Sequence, residues 1–169
     1  MSISPKVITA LENQATHELF AAQSYLAMSC WCEVQQHSGF AGFFYKQAAE
    51  ERAHADKLLK HLTDRDVMPK IGALAAPAAA FKSLLEVAQA AYDFERANTA
   101  GIHAAYAAAL AEKDYAAQVM LHWFINEQVE EEAWSDKLLV KTREASCAGA
   151  LLNLDRHLEK ILGGRAAES

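Results

Sequence analysis

Apolar residues recur along this chain at alternating spacings of three and four over four long stretches, the period of helices that bury one face. Ser4-Pro5 opens the first, as a favoured N-cap followed by a favoured first helical residue. The pattern predicts a helix over 5–36 with Leu11, Ala15, Glu18, Ala22, Tyr25, Ser29 and Cys32 on one seam. His37-Ser38-Gly39 breaks it. A second helix, 40–66, aligns Phe40, Phe44, Gln47, Glu51, His54, Leu58 and His61 or Leu62. Ser83-Leu84-Leu85-Glu86 has capping-box spacing and starts a third over 83–111, whose seam is Leu84, Ala88, Ala91, Glu95, Asn98, Ile102 and Ala105. Asp114 caps a fourth, 114–143, with Ala117, Met120, Phe124, Glu127 or Gln128, Glu131, Trp134 and Leu138 in line. Beyond Gly149 a short fifth helix, 150–162, lines up Leu151, Leu154, Leu158 and Ile161, and Gly163-Gly164 ends it.

The connections decide the topology. Residues 67–80 hold Pro69, Gly72 and Pro77 and do not read as helix. Fourteen extended residues reach up to roughly 46 Å, whereas a helix of 27 residues is about 40 Å long. This segment can therefore run the length of a bundle, so the third helix starts beside the start of the second and lies parallel to it. The expected fold is all-α: one domain over 1–169, a four-helix bundle with a single long crossover between helices two and three, plus the short fifth helix.

Composition narrows the function. The chain has 169 residues, of which 52% are hydrophobic, with only 7 Gly and 3 Pro, which suits one helical core. Its 22 acids against 16 bases give a formal charge of −6, which argues against nucleic acid as a partner and favours cations. Cys30, Cys32 and Cys147 form neither a disulfide framework nor a zinc set, and both thiols of the Cys30-x-Cys32 pair are expected to be buried. A reducing, cytoplasmic compartment is the simplest reading. Met1-Ser-Ile-Ser-Pro-Lys6 lacks the pattern of a signal peptide, and no apolar run is long enough to span a membrane.

Each of the four long seams carries one carboxylate near its middle: Glu18, Glu51, Glu95 and Glu131. Most glutamates are solvated, but these four are flanked by apolar seam residues, with no Lys or Arg on the seams nearby. Buried without partners, each would cost several kcal/mol or protonate. A pair of cations removes the difficulty. Two Fe²⁺ carry +4 against −4 from four carboxylates, and two Fe³⁺ bridged by one oxide also sum to +4. Glu51 and His54 stand three apart and so share a helical face. A lone Glu-x-x-His arises often by chance, but here it is joined by three further acids at matching depth. The imidazole favours a transition metal over Mg²⁺ or Ca²⁺. Di-metal carboxylate bundles use a second Glu-x-x-His, whereas here Trp134 follows Glu131 by three, so the two metal positions should be unequal.

The chain resembles the bacterial non-haem ferritins over nearly its full length. The resemblance is carried by His17-Glu18-Leu19 with Tyr25, by Glu50-Glu51-Arg52-Ala53-His54, by Tyr92-Asp93-Phe94-Glu95, by Asn126-Glu127-Gln128-Val129-Glu130-Glu131-Glu132, and by the fifth helix. It implies the ferritin-like fold and a hollow shell of 24 subunits that oxidises Fe²⁺ with O2 or H2O2 and stores ferric mineral. Glu18, Glu51 and His54 would hold one iron; Glu51 would bridge to a second held with Glu95 and Glu131. Gln128 would lie close to this di-iron centre, and Tyr25 would stand beside it to hydrogen-bond a ligand or supply an electron. Glu50, Glu127 and Glu130 match a third iron site, against the plainer reading of a solvated acidic patch. Bacterioferritins differ in having the second Glu-x-x-His and a haem-binding Met where Arg52 stands, so no haem is expected. Rubrerythrins add a Cys-rich module that this chain lacks, and DNA-protecting mini-ferritins usually lack the fifth helix.

Two other functions fit the same ligands: a di-iron oxidase acting on a small organic substrate, and a purely structural bundle. Trp31, Trp123 and Trp134 read as core or interface packing, and His17, His37, His61, His103, His122 and His157 as surface or interface residues rather than ligands. The leucine stripe of the fifth helix is expected against neighbouring chains.

Overall fold

The computed structural model describes residues 3–162. These form α1 (Pro5–Val34), α2 (Ser38–Thr63), α3 (Leu84–Ala111), α4 (Tyr115–Glu144), α5 (Ala148–Arg156) and α6 (Leu158–Leu162). The caps are the ones the sequence offers. Ser4 Oγ accepts from the Val7 N–H, Ser83 Oγ from Glu86 and the Asp114 carboxylate from Ala117. No described helix is long and apolar enough to cross a membrane.

Two apolar clusters fix the directions of the helices. One joins Val7, Leu11 and Ala15 from the start of α1 to Leu58 and Leu62 from the end of α2, Ile102, Ala105 and Ala109 from the end of α3, and Ala117 and Leu121 from the start of α4. The other joins Tyr25 and Met28 to Phe40, Phe44, Leu84, Val87 and Leu138. Helices α2 and α3 are therefore parallel, and α1 and α4 run opposite to them. The crossover runs alongside α1: Lys70 donates its N–H to Glu12, Gly72 lies against Thr16, and Phe81 meets Trp31 edge-on. This is the four-helix bundle with one long crossover that the segment lengths predict.

Several particulars differ from expectation. Helices α1 and α2 end before residues 36 and 66, because Gln36 and Asp66 take positive φ (64° and 60°) without a glycine to announce the stop. A non-glycine residue there costs roughly 1 kcal/mol, which the surrounding packing must offset. Ala21 rather than Ala22, and Leu121 rather than Met120, are buried. Cys32 is buried but Cys30 is exposed, since residues two apart point to opposite sides of a helix. The fifth helix is broken at His157 into α5 and α6. Gly163-Gly164, assigned to end it, lies outside the described residues. Its stripe is largely covered by this chain itself: Leu154 and Leu158 are buried in the second cluster, with Leu151 and Ile161 packed against it.

Helix α5 is locked to α2 at one point. The buried Asp155 carboxylate accepts the Phe40 N–H at the start of α2 (3.0 Å), and Gly39 lies so close that a Cβ there would sit 1.8 Å from the Asp155 carbonyl oxygen. Gly39→Ala must push α5 away. The expected cost is about 1–3 kcal/mol, seen as a thermal midpoint lowered by several degrees, with the bundle otherwise intact by circular dichroism.

Candidate metal centre

Between the two apolar clusters lies a polar layer. Glu18, Glu51, His54, Glu95, Gln128 and Glu131 are all buried there, none more than 3% exposed. No lysine or arginine is among the buried residues described. Each long helix delivers its carboxylate at the same depth because each seam places it midway between apolar contacts above and below.

The ligand atoms fall into overlapping groups, in each of which they lie within 4.8 Å of one another. Glu18, Glu51 and His54 form one, and Glu51, Glu95 and Glu131 form another, so Glu51 is common to both. A third group, Glu50, His54 and Glu127, lies nearer the surface. Glu130, expected with Glu50 and Glu127, is not in that group; it is exposed and lines a cavity of about 420 Å³ with Gln47, Glu50, Glu131 and Trp134. None of the other six histidines joins a group among the described residues.

Hydrogen bonds hold some ligands and leave others bare. Both Glu18 oxygens accept, one from Gln14 at 2.8 Å and the other from Asn98 at 3.2 Å. Glu95 accepts from the Tyr25 hydroxyl and more distantly from Gln128, and Glu131 accepts from the Trp134 indole N–H. Neither Glu51 oxygen and neither His54 ring nitrogen has a hydrogen-bond partner. The 3.5 Å approach of His54 Nδ1 to Glu51 Oε2 is too long for a good bond. Buried polar atoms of this kind are normally satisfied. Their concentration on the shared carboxylate and the sole imidazole of the layer is what a cation site looks like from the side of its ligands.

Comparison with known proteins shows the family. A model of the ferritin-like domain matches residues 8–145, which span most of α1 through the end of α4. The chain belongs to the ferritin family. It is 39% identical over 131 residues to the bacterial non-heme ferritin of Staphylococcus aureus strain MRSA252, covering 78% of this chain and 79% of that protein. The corresponding protein of Staphylococcus haemolyticus is 37% identical over the same length. Among solved structures, an open pore ferritin from Archaeoglobus fulgidus superposes with a TM-score of 0.90 at 33% identity, covering 94% of this chain and 98% of that one.

The electrostatics follow from crowding acids in a dry place. Burial pushes the Glu51 and Glu131 carboxyls well above the usual range, and neighbouring glutamates reinforce it. Glu95 is pushed up to about 7, burial outweighing the hydrogen bonds from Tyr25 and Gln128 that stabilise its charge. Burial raises the Tyr25 phenol and lowers the His54 imidazole, which keeps the ring neutral and its lone pair available. The metal-free layer thus holds protons near neutrality that a cation must displace. Affinity for Zn²⁺ is expected to rise at least tenfold between pH 6 and pH 8, through the range where Glu95 ionises, with proton release measurable by calorimetry in buffers of different ionisation enthalpy. An affinity independent of pH would contradict this.

Three contributors were not evident as such in the sequence. Gln14, one turn before Glu18, lies off the predicted seam, yet it is buried and bonds both Glu18 and Asn98. It reaches them because Gly101 lets α1 approach α3; a Cβ there would fall 2.2 Å from Gln14 Oε1. Asn98 was on the seam without a role, and Trp134 was assigned to packing. The signal was in the spacing: three residues after Glu51, Glu95 and Glu131 stand His54, Asn98 and Trp134, each bearing nitrogen on the face that looks into the layer.

Proposed function

We propose that this chain is an iron-storage protein that oxidises Fe²⁺ within each subunit. The observation that carries the reading is Glu51, shared between two buried ligand groups and without a hydrogen-bond donor of its own. Glu18, Glu51 and His54 receive one Fe²⁺; Glu51 bridges to a second held by Glu95 and Glu131. Kinship with proteins named bacterial non-heme ferritins supports the same reading.

The protein's contribution is to place two one-electron donors side by side, away from water, with their charge matched by four carboxylates. With oxygen the balance is 2 Fe²⁺ + O2 + 2 H⁺ → 2 Fe³⁺ + H2O2; with peroxide it is 2 Fe²⁺ + H2O2 + 2 H⁺ → 2 Fe³⁺ + 2 H2O. Gln128, whose amide reaches Glu95 and Thr99, lies where it can orient the oxidant. Tyr25, hydrogen-bonded to Glu95, can pass a proton or supply an electron. Ferric product leaves toward the surface past a third site made by Glu50 and Glu127 with Glu130 or His54. We further propose a shell of 24 such subunits around the mineral, in the cytoplasm, where unpaired Cys30, Cys32 and Cys147 stay reduced.

Aerobic loading tests this. Addition of several hundred Fe²⁺ per shell should leave a soluble ferric core inside a particle of constant size, at far more than two irons per chain. A small oligomer that takes up two irons per chain and no more would instead identify an oxidase of organic substrates.

A further inference from the structure

Trp134 stands where a symmetrical di-metal bundle would have its second imidazole, but it does not merely fill the space. Its indole N–H donates to Glu131 Oε2. The ring that makes this bond is fixed in place: its centroid lies 5.0 Å from that of Phe43 in an edge-to-face contact, and 6.2 Å from that of Tyr25. The carboxylate is fully buried and the indole nearly so. Trp134 also lines the 420 Å³ cavity, together with Glu131, Glu130 and Glu50.

We propose that Trp134 is a positioning residue that restricts Glu131 to one coordinating oxygen, making the Glu51–Glu95–Glu131 position the weaker and more readily emptied of the two. This rests on the metal-centre reading above. The chemistry is a competition. A carboxylate can chelate through two oxygens, but an oxygen engaged by a rigid N–H is a poor second ligand, because the bond would have to break in a dry site. The indole itself is no substitute for imidazole: it donates and has no lone pair to offer a metal. At the other position Glu18 accepts from the side-chain amides of Gln14 and Asn98 rather than from a ring wedged between aromatics, and His54, with both ring nitrogens unengaged, supplies a nitrogen ligand that the Glu131 side lacks. The asymmetry therefore faces the cavity, on the side where an ion would depart.

The test is an anaerobic titration of the full-length protein and of Trp134→Phe with Co²⁺, followed by calorimetry and by visible absorbance, which reports coordination number. Phenylalanine keeps an aromatic ring against Phe43 and Tyr25 and removes the donor, with some loss of ring volume. The wild type should show two unequal steps. Trp134→Phe should leave the first step unchanged, tighten the second about tenfold, and shift the second-step spectrum as Glu131 gains a second bond to the metal. Release of the second ion to a chelator should slow by a similar factor. Trp134→His supplies an imidazole and should also bring the two steps together. An unchanged second step in Trp134→Phe would show that the indole only packs; a second step that weakens, or a loss in both steps with a lowered melting temperature, would equally overturn the proposal. If the wild type bound no Co²⁺ at all, the metal-centre reading itself would fail, a result distinct from each of these.

Discussion

Glu51→Ala is expected to slow aerobic Fe²⁺ oxidation by about a hundredfold or more, the largest loss of any single substitution in this protein. Glu51 belongs to both ligand groups, so its removal empties the bridge and leaves two half-sites that no longer hold their ions as a pair. His54→Ala should cost less, roughly tenfold to a hundredfold, because it strips one position and spares the other. Stopped-flow absorbance at two Fe²⁺ per chain measures both. Glu33→Ala, at an exposed position of α1, is the control and should oxidise iron at the wild-type rate. Equal rates for Glu51→Ala and Glu33→Ala would mean that oxidation happens elsewhere, at the mineral surface or at an outer site.

The same side chain should show the opposite effect on stability. Glu51→Gln is expected to stabilise the metal-free protein at pH 8 by roughly 1–3 kcal/mol. The sign follows from linkage. Burial raises the Glu51 pKa in the folded state, so above the ordinary carboxyl pKa the folded protein binds more protons than the unfolded chain. Stability contributed by that proton is therefore full at low pH and is lost as pH rises through the folded-state pKa. Glutamine mimics the protonated form at every pH. The gain should be smallest near pH 4, below the ordinary carboxyl pKa, and grow toward pH 8, measured by urea denaturation with a chelator present. A wild type more stable than Glu51→Gln at pH 8 without metal would show that the carboxylates are already neutralised by some other means. Substoichiometric Zn²⁺ should reverse the order, since only the wild type gains the binding energy.

These two effects share a cause. Four acids in an apolar layer are a liability to the fold and an asset to a cation, and they were visible in the sequence because the seams around them are so regular. The α3 seam was readable residue by residue: Leu84, Ala88, Ala91, Glu95, Asn98, Ile102 and Ala105 are all buried. The crossover was readable from length and proline content. The ends of α1 and α2 were not, because Gln36 and Asp66 adopt positive φ, which side-chain identity does not announce. Gln14 was missed for a related reason: glutamine is ordinarily solvated, and only its approach to α3 across Gly101 makes it a hydrogen-bond donor to Glu18. Cys30 and Leu121 show the limit of counting by threes and fours, where one step of 100° separates the buried face from its flank. The outer acidic group was the least legible part. Its residues lie on α2 and α4, where spacing alone does not separate Glu130 from His54 as the neighbour of Glu50 and Glu127.

The most direct measurement is anomalous diffraction at the iron edge from crystals soaked anaerobically in Fe²⁺. Two peaks roughly 3.5–4 Å apart are expected inside each subunit, one against Glu18 and His54, the other against Glu95 and Glu131, with Glu51 touching both. Iron found only on surface carboxylates, with those four glutamates left unliganded, would contradict the account.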